Sequence, residues 1–377
     1  MFFYYSISII CFIICVFDFP ISQNPFSLYQ KQINQKTVLF LIGSCFVILG
    51  GIRWLTGTDW PPYYHFFNDN VTWENFKKYR FEIGYTFLNW GVKCFFNEYT
   101  AFLIIFSFLV ITPKVFIINK ISPYPLLSLF LYSCTYTGEI FAVRNQLGVT
   151  LLICSIPAMQ EKNFKKFLLC TVIASTIHYS CMAWIISYYI YNKTFNKKTW
   201  FKLYFFACIF MLIGKGLYPR LISKIFKPLA GYGIIIEKLL SYSSSEYKDI
   251  AVNAKSLILS LVKRMLFLPF YFVYFKDLIK KNKFNKGLLN LYLYGNAFQL
   301  FFYSGFQQMG RLILANIFLE IFLLPQLILL PKNKSIKMLM LFMLFFYGML
   351  KITHILPFKD VLVPYYSIFN YEVRYMY

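Results

Sequence analysis

Charge is what this chain has least of. Only 14% of its 377 residues are charged, against about a quarter in a soluble globular protein. Acids are scarcest: 15 Asp and Glu face 38 Lys and Arg, a formal net charge of +23. So few charges cannot clothe the two or three soluble domains that this length would otherwise allow. Paired metal ligands are missing too. There are nine Cys but no CxxC pair, and the three His form no matching cluster, so the usual signs of a zinc site or a disulfide framework are absent. Cys11, Cys15, Cys45, Cys154 and Cys170 sit inside apolar runs and read as small buried apolar residues. No internal repeat or low-complexity tract is visible. The first apolar run, Met1 to Phe17, lacks a basic leader and a small-residue cleavage site. It is expected to be a retained first span rather than a removed signal.

What is there is apolar: 59% of residues are hydrophobic and 22% aromatic, gathered in long runs. A membrane span needs about 20 such residues, because no backbone group can go unpaired in lipid. Candidates are Phe2–Phe17, Val38–Leu55, Ala101–Ile118, Leu126–Ile140, Val143–Met159, Phe201–Leu217, Ser256–Phe275, Leu288–Ser304, Leu312–Leu330 and Met338–Ile352. Phe167–Tyr191 is long and broken around His178, and Val361–Tyr377 reads as a short helix that Pro364 and Arg374 argue against. The expectation is an all-α polytopic membrane protein with about ten to twelve spans. Its cations cluster in the short loops Asp18–Thr37, Gln160–Lys166, Asn192–Lys202, Lys276–Lys286 and Pro331–Lys337, the pattern of cytoplasmic loops rather than of nucleic-acid binding. The remaining positive charge suits anionic membrane lipids or an anionic substrate. The opposite face then holds Arg53–Arg80, Glu139–Arg144, Tyr218–Lys255 and Gly305–Arg311, with long outer loops at about 56–98 and 218–255. For the loops on both sides of Phe167–Tyr191 to be cytoplasmic, that stretch must go in and return as two half-helices meeting near His178. One tilted helix with a Lys-rich outer loop is the alternative. Phe81–Asn97, interrupted by Glu82, Asn89 and Lys93, reads as a re-entrant or interfacial helix.

The densest polar block is Arg53-Trp54 followed by Gly57-Thr58-Asp59-Trp60-Pro61-Pro62. The Gly and Pro pair make a turn, and two Trp mark a membrane interface. A headgroup anchor explains the Trp and Arg but not Asp59, an acid beside anionic lipid. Glu82 opens a helix-like segment, where a helix-terminus role is the ordinary one. Arg144 and Gln146 begin a span. An Arg at that depth is costly and is usually functional or paired, with Glu139 the nearby partner. Arg311 opens another span, and Arg220, with Lys215 and Lys224, adds outer cations. Guanidinium groups hold phosphate oxygens bidentately. His178, at the apex of a broken helix, could serve as a base or as a core residue. The stripe Asn296, Gln299 and Tyr303 is explained by interhelical hydrogen bonding. Glu320, four residues from Asn316, would be deep in the membrane, protonated or hydrogen-bonded.

These residues, in this order, resemble the EpsG-type polysaccharide polymerases, a branch of the Wzy O-antigen polymerase group. The match rests on Arg53, Gly57-Thr58-Asp59-Trp60 with Tyr63 or Tyr64, and Glu82-x-Gly84-Tyr85. Arg144-x-Gln146, His178 and Arg311 continue it, as far as about Pro331. Leu147-Gly148 departs from the expected helix start, and the C-terminus is too generic to align. The resemblance implies a GT-C-like glycosyltransferase of the bacterial inner membrane, one transmembrane polymerase domain over residues 1–377. It would join undecaprenyl-pyrophosphate-linked oligosaccharide repeats at the periplasmic face. In that scheme Arg144 and Arg311, with Arg53 and Arg220, hold the diphosphate, and Asp59, Glu82 or His178 is the base, Asp59 preferred. Trp60, Tyr64, Tyr85 and Gln146 face the glycan. No metal or cofactor is required. The partners are the lipid-linked oligosaccharide, membrane lipids and a chain-length regulator, with no nucleic acid. The alternatives are a flippase or transporter of the same lipid-linked repeats, or an O-antigen ligase.

Overall fold

The computed structural model describes residues 1–18, 25–57, 59–70, 81–141, 143–229, 240, 254–353 and 359–370. They fall into two compact units, Met1–Ile185 with Ile321–Tyr377, and Ile186–Glu320. The first unit opens with α1 (Phe2–Ile14), α2 (Pro25–Gly51), α3 (Trp60–His65), α4 (Ile83–Phe96) and α5 (Tyr99–Ile121). It continues with α6 (Pro125–Phe141), α7 (Val143–Cys154), α8 (Ile156–Gln160) and α9 (Phe164–Ile177). The second unit holds α10 (Ile185–Asn192), α11 (Lys197–Phe226), α12 (Ala254–Met265), α13 (Leu268–Val273), α14 (Phe275–Lys281), α15 (Asn285–Phe302) and α16 (Leu314–Phe318). The chain returns to the first unit through α17 (Glu320–Ile328), α18 (Lys334–Ile352) and α19 (Lys359–Leu362). Among the described residues there is no strand, only an isolated bridge between Arg53 and Ser367.

The protein is an all-α polytopic membrane protein. Gln30–Gly51 in α2, all of α5 and all of α18, at 22, 23 and 19 residues, are long and apolar enough to cross a bilayer. At 1.5 Å per residue each reaches roughly the 30 Å of a hydrocarbon core. Counting two bent pairs as spans gives up to five among the described residues. The expected ten to twelve runs are present as apolar sequence, but several are folded as broken helices. Ser256–Phe275 was expected as one span. It breaks after Met265, resumes in α13 with Pro269 in its first turn, and bends by 85° into α14. Leu312–Leu330 divides into a 3-10 turn (Gln307–Ile313), α16 and α17. Val143–Met159 divides at Ser155, ahead of Pro157. Pro removes a backbone donor, which favours a helix start or break at these positions, although α5 and α17 carry Pro113 and Pro325 within the helix.

Other boundaries moved the opposite way. α2 starts at Pro25, so Lys31 and Lys36 lie in a helix rather than in a loop. Nothing between Pro25 and Gly51 breaks a helix, and Gln and Lys are good helix formers. α11 runs on to Phe226, so the expected outer loop 218–255 begins as helix, and residues 230–239 and 241–253 lie outside the description. Of the expected C-terminal helix Val361–Tyr377, Val361 and Leu362 end a short helix, residues 363–370 are not helical, and residues 371–377 lie outside the description.

Local chemistry explains the starts. Asn163, Asn196 and Asn333 each cap a helix, their side chains accepting from the N–H of Lys166 (3.0 Å), Thr199 (2.8 Å) and Ser335 (2.8 Å). α6 is capped from a distance: Asp18 accepts from the N–H groups of Leu126 and Leu127 at 3.1 and 2.7 Å. α2 lies along α5, and a Cβ on Gly51 would come within 2.8 Å of the Ile104 backbone. Only glycine allows that approach, as small residues do wherever membrane helices pack tightly.

Candidate active site

Glu82 stands just before α4 in extended conformation (φ −66°, ψ 145°) and makes no side-chain capping bond. Its carboxylate turns to two other elements instead. Oε2 meets Arg144 Nη1 at 2.5 Å, and Oε1 accepts from the Tyr179 N–H at 3.4 Å. Arg144 is the second residue of α7, and its Nε donates to the Tyr63 hydroxyl at 3.1 Å. The guanidinium lies 4.5 Å from the Phe81 ring centroid, and 5.6 and 5.7 Å from those of Tyr63 and Tyr85. Negative ring faces favour a cation there. The pair is largely desolvated: 6% of the Glu82 side chain and 20% of the Arg144 side chain are exposed.

Two glycines bring these elements together. A Cβ on Gly84 would sit 2.4 Å from Thr176 Oγ1 and 2.9 Å from the Thr176 carbonyl oxygen, so only glycine lets α4 start against the last turn of α9. A Cβ on Gly148 would sit 2.5 Å from Cys181 Sγ. The departure at Leu147-Gly148 thus has a packing reason: α7 presses on the turn after His178. The break itself is where the sequence placed it. α9 stops at Ile177, His178 is extended (φ −153°, ψ 118°), and a 3-10 turn, Tyr179–Trp184, follows. His178 Nδ1 accepts from the Ser180 N–H at 3.3 Å and lies 2.7 Å from the Ser180 hydroxyl.

Asp59 precedes α3, is exposed, and makes no side-chain capping bond. Burial pushes the Tyr63 phenol up; the Arg144 charge opposes this, and the Asp59 and Glu82 charges add to it. The phenol therefore keeps its proton while its oxygen accepts from Arg144. Behind α3 lies an aromatic layer. Trp60 meets Trp54 edge-on at 4.9 Å and stacks on Tyr64 at 4.8 Å, and Tyr99 closes on both Trp60 and Tyr64.

A C-terminal strap covers the Arg53 block. Trp54 and Gly57 N–H groups donate to the Tyr366 and Val361 carbonyls at 2.9 and 3.0 Å, and Ile368 N–H donates to Ile52 O at 2.9 Å. Thr56 Oγ1 accepts from the Tyr366 N–H at 3.1 Å and lies within donating distance of the Trp54 and Tyr366 carbonyls, at 3.0 and 3.2 Å. Nothing in the sequence singled out this strap, because extended backbone bonding carries no side-chain pattern.

Glu82, Arg144 and the His178 turn thus meet directly, and Asp59 joins through Tyr63. Several expectations need correcting. Glu139 was the nearby partner for Arg144; its side chain lies outside the description, and the guanidinium is on Glu82. Arg53 was expected to help hold the diphosphate, but it is 2% exposed beneath the strap. The two Trp were read as interface markers, yet Trp54 and Trp60 are 7% and 1% exposed, because they pack on each other. Trp60 and the fully buried Tyr85 present no ring face to a glycan in this arrangement, whereas Tyr64 keeps some surface. Gln146 is buried and accepts from Lys114 Nζ at 3.2 Å. Arg220 and Arg311 are exposed residues of the second unit. Sequence reasoning missed Tyr63 as the Arg144 partner and Lys114 altogether. The spacing held a clue to the first: Tyr63 lies three residues after Trp60, on the same helix face. Among the described residues no three His, Cys, Asp or Glu side chains gather closely enough to hold a metal ion.

Fold and cluster define a class: a polytopic helical membrane protein whose Arg–Glu pair is desolvated against an aromatic wall. The EpsG family profile matches residues 36–373, so the chain belongs to the EpsG family, among membrane proteins of polysaccharide biosynthesis. The match runs past Pro331 and takes in the strap. The chain is also similar to the amylovoran biosynthesis protein AmsC of Erwinia amylovora. The two are 26% identical over 363 residues, which cover 90% of this chain and 91% of that protein. No solved structure matches the chain.

Proposed function

We propose that the chain is a glycosyltransferase of the bacterial inner membrane, acting as one transmembrane polymerase domain. It joins undecaprenyl-pyrophosphate-linked oligosaccharide repeats into O-antigen or a related surface polysaccharide at the periplasmic face. The observation that carries this reading is the Arg144 guanidinium, desolvated and held by Glu82 and Tyr63, in a chain of the EpsG family. The similarity to a protein of amylovoran biosynthesis supports an exopolysaccharide product.

A diphosphate is already a good leaving group, so the reaction needs charge stabilisation more than a strong acid. Arg144 supplies a planar fork for it. Glu82 is the counter-ion of Arg144 and stays on Nη1, so an arriving diphosphate meets the remaining N–H groups of the guanidinium. A hydroxyl of the next lipid-linked repeat attacks the anomeric carbon of the donor's first sugar. The bond from that carbon to the diphosphate oxygen breaks, and its electron pair leaves with the diphosphate. The hydroxyl proton passes to Asp59. Both Glu82 oxygens are engaged, so Glu82 positions Arg144, and the exposed Asp59 is the better base. The resemblance also assigns Arg311, a residue of the second unit, to diphosphate binding. Membrane lipids and a chain-length regulator are the remaining partners.

The test is surface glycan displayed on a gel from cells carrying Asp59→Asn. Polymer should disappear while the variant still inserts in the membrane; normal-length polymer would refute the base. A deletion strain separates the classes. Single-repeat glycan means polymerase, lipid-linked repeats retained inside mean flippase, and free polymer that never reaches lipid A means ligase.

A further inference from the structure

The polar stripe on α15 divides along its length. Asn296 is buried and donates to Tyr292 O of its own helix at 3.0 Å. Gln299 and Tyr303 instead line a cavity of about 140 Å³, together with Phe302 and Gly310. All four residues belong to the second unit, where α15 ends and the turn Gln307–Ile313 begins. A cavity of this order holds one six-membered ring; an oligosaccharide needs several times more.

The lining fits a particular ring. The Gln299 amide both donates and accepts, and the Tyr303 hydroxyl does the same. The Phe302 and Tyr303 rings offer negative faces to C–H groups. A pyranose has both surfaces, hydroxyls at its rim and a C–H face. A lipid chain would satisfy the rings and leave the Gln299 amide with nothing to bond in the cavity, which is costly. The Arg264 guanidinium lies 5.4 Å from the Tyr303 ring centroid and is itself held by Ser260, through Oγ at 2.6 Å and the carbonyl at 3.0 Å. That contact fixes the ring. Gly310 keeps the space open: a Cβ there would meet only Gln299 Nε2, at 3.5 Å, an ordinary contact. Arg311 is the next residue in the chain and is exposed.

We propose that this cavity binds the sugar ring of a glycosyl phosphate, its hydroxyls on Gln299 and Tyr303 and its phosphate on Arg311. The inference rests on the reading of the chain as a glycan polymerase and deepens it. The cavity would select the sugar that carries the phosphate held by Arg311. Binding there needs neither Asp59 nor Glu82.

The experiment uses the full chain in lipid nanodiscs and saturation-transfer NMR. The probes are glucose 1-phosphate, galactose 1-phosphate and N-acetylglucosamine 1-phosphate. At least one should show transfer to its ring protons. Gly310→Leu, which fills the cavity, should abolish it. Gln299→Ala should weaken binding about fivefold, the loss of one hydrogen bond, and provides a second variant should Gly310→Leu fold poorly. No transfer from any probe to the wild type would overturn the proposal, as would transfer that neither Gly310→Leu nor Gln299→Ala changes. Transfer to dihexanoyl phosphatidic acid without transfer to any sugar ring proton would mean a lipid-headgroup contact and would also overturn it. Asp59→Asn should bind as the wild type does. Because the readout involves no polymer, a failure of the proposed reaction and a failure of this subsite are distinguishable.

Discussion

Glu82→Gln removes the charge at the centre of the cluster while keeping its shape. Taking one partner from a fully buried ion pair costs about 3–5 kcal/mol, because the other charge stays buried. Here the side chains are 6% and 20% exposed, so water reaches part of the guanidinium and lowers the cost. Gln also keeps an acceptor for Arg144, and the Phe81 ring remains beneath the cation. The expected loss is therefore about 2–3 kcal/mol, between the buried and exposed limits. Arg144→Met should cost a similar amount by stranding Glu82. The double variant should recover part of it, with a coupling of about 1–3 kcal/mol for groups in direct contact. Unfolding of the four purified proteins in mixed micelles, by titration with a denaturing detergent, gives that coupling. A value below about 0.5 kcal/mol, in the range of an exposed pair, would refute the claim that Glu82 and Arg144 hold each other.

Gly148→Ala places a methyl 2.5 Å from Cys181 Sγ, with the next nearest atoms, Ala174 O and His178 Cβ, at 3.7 Å. It should destabilise by about 1–3 kcal/mol through overpacking, and Cys181→Ala should restore most of that; a double variant no more stable than Gly148→Ala alone would sink this account. Thr56→Val strips the Tyr366 N–H of its partner, a loss of about 1–3 kcal/mol. Hydrogen exchange across residues 361–368 should quicken, and an unchanged rate would show that the strap is held by other means.

How much of the site could be read in advance depends on how far each contact reaches along the chain. Glu82 was legible because a lone acid before an apolar run marks a helix start. The break at His178 was legible because Phe167–Tyr191 is one long apolar stretch interrupted there. The partner of Arg144 was not. Glu139 is five residues away in sequence, and Glu82 is 62 residues away. Choosing between them required α4 and α7 to be packed against the same turn. Gly84 and Gly148 make that packing possible, yet each reads as an ordinary glycine until the atoms opposite it are known. The buried Trp54 and Trp60 carry the same lesson. Trp at a helix end suits a membrane interface equally well, and only their mutual contact shows that they face inward.

The sequence by itself settled the solvent of this protein. Each long apolar run can satisfy its own backbone as helix, so the preference for lipid follows from local composition and needs no partner. What it could not settle was which charges meet. An ion pair such as Glu82 with Arg144, or a strap such as residues 361–368 over 52–57, joins segments far apart in the chain. Its free energy depends on desolvation and on angstrom-scale fit, which exist only once the helices are packed.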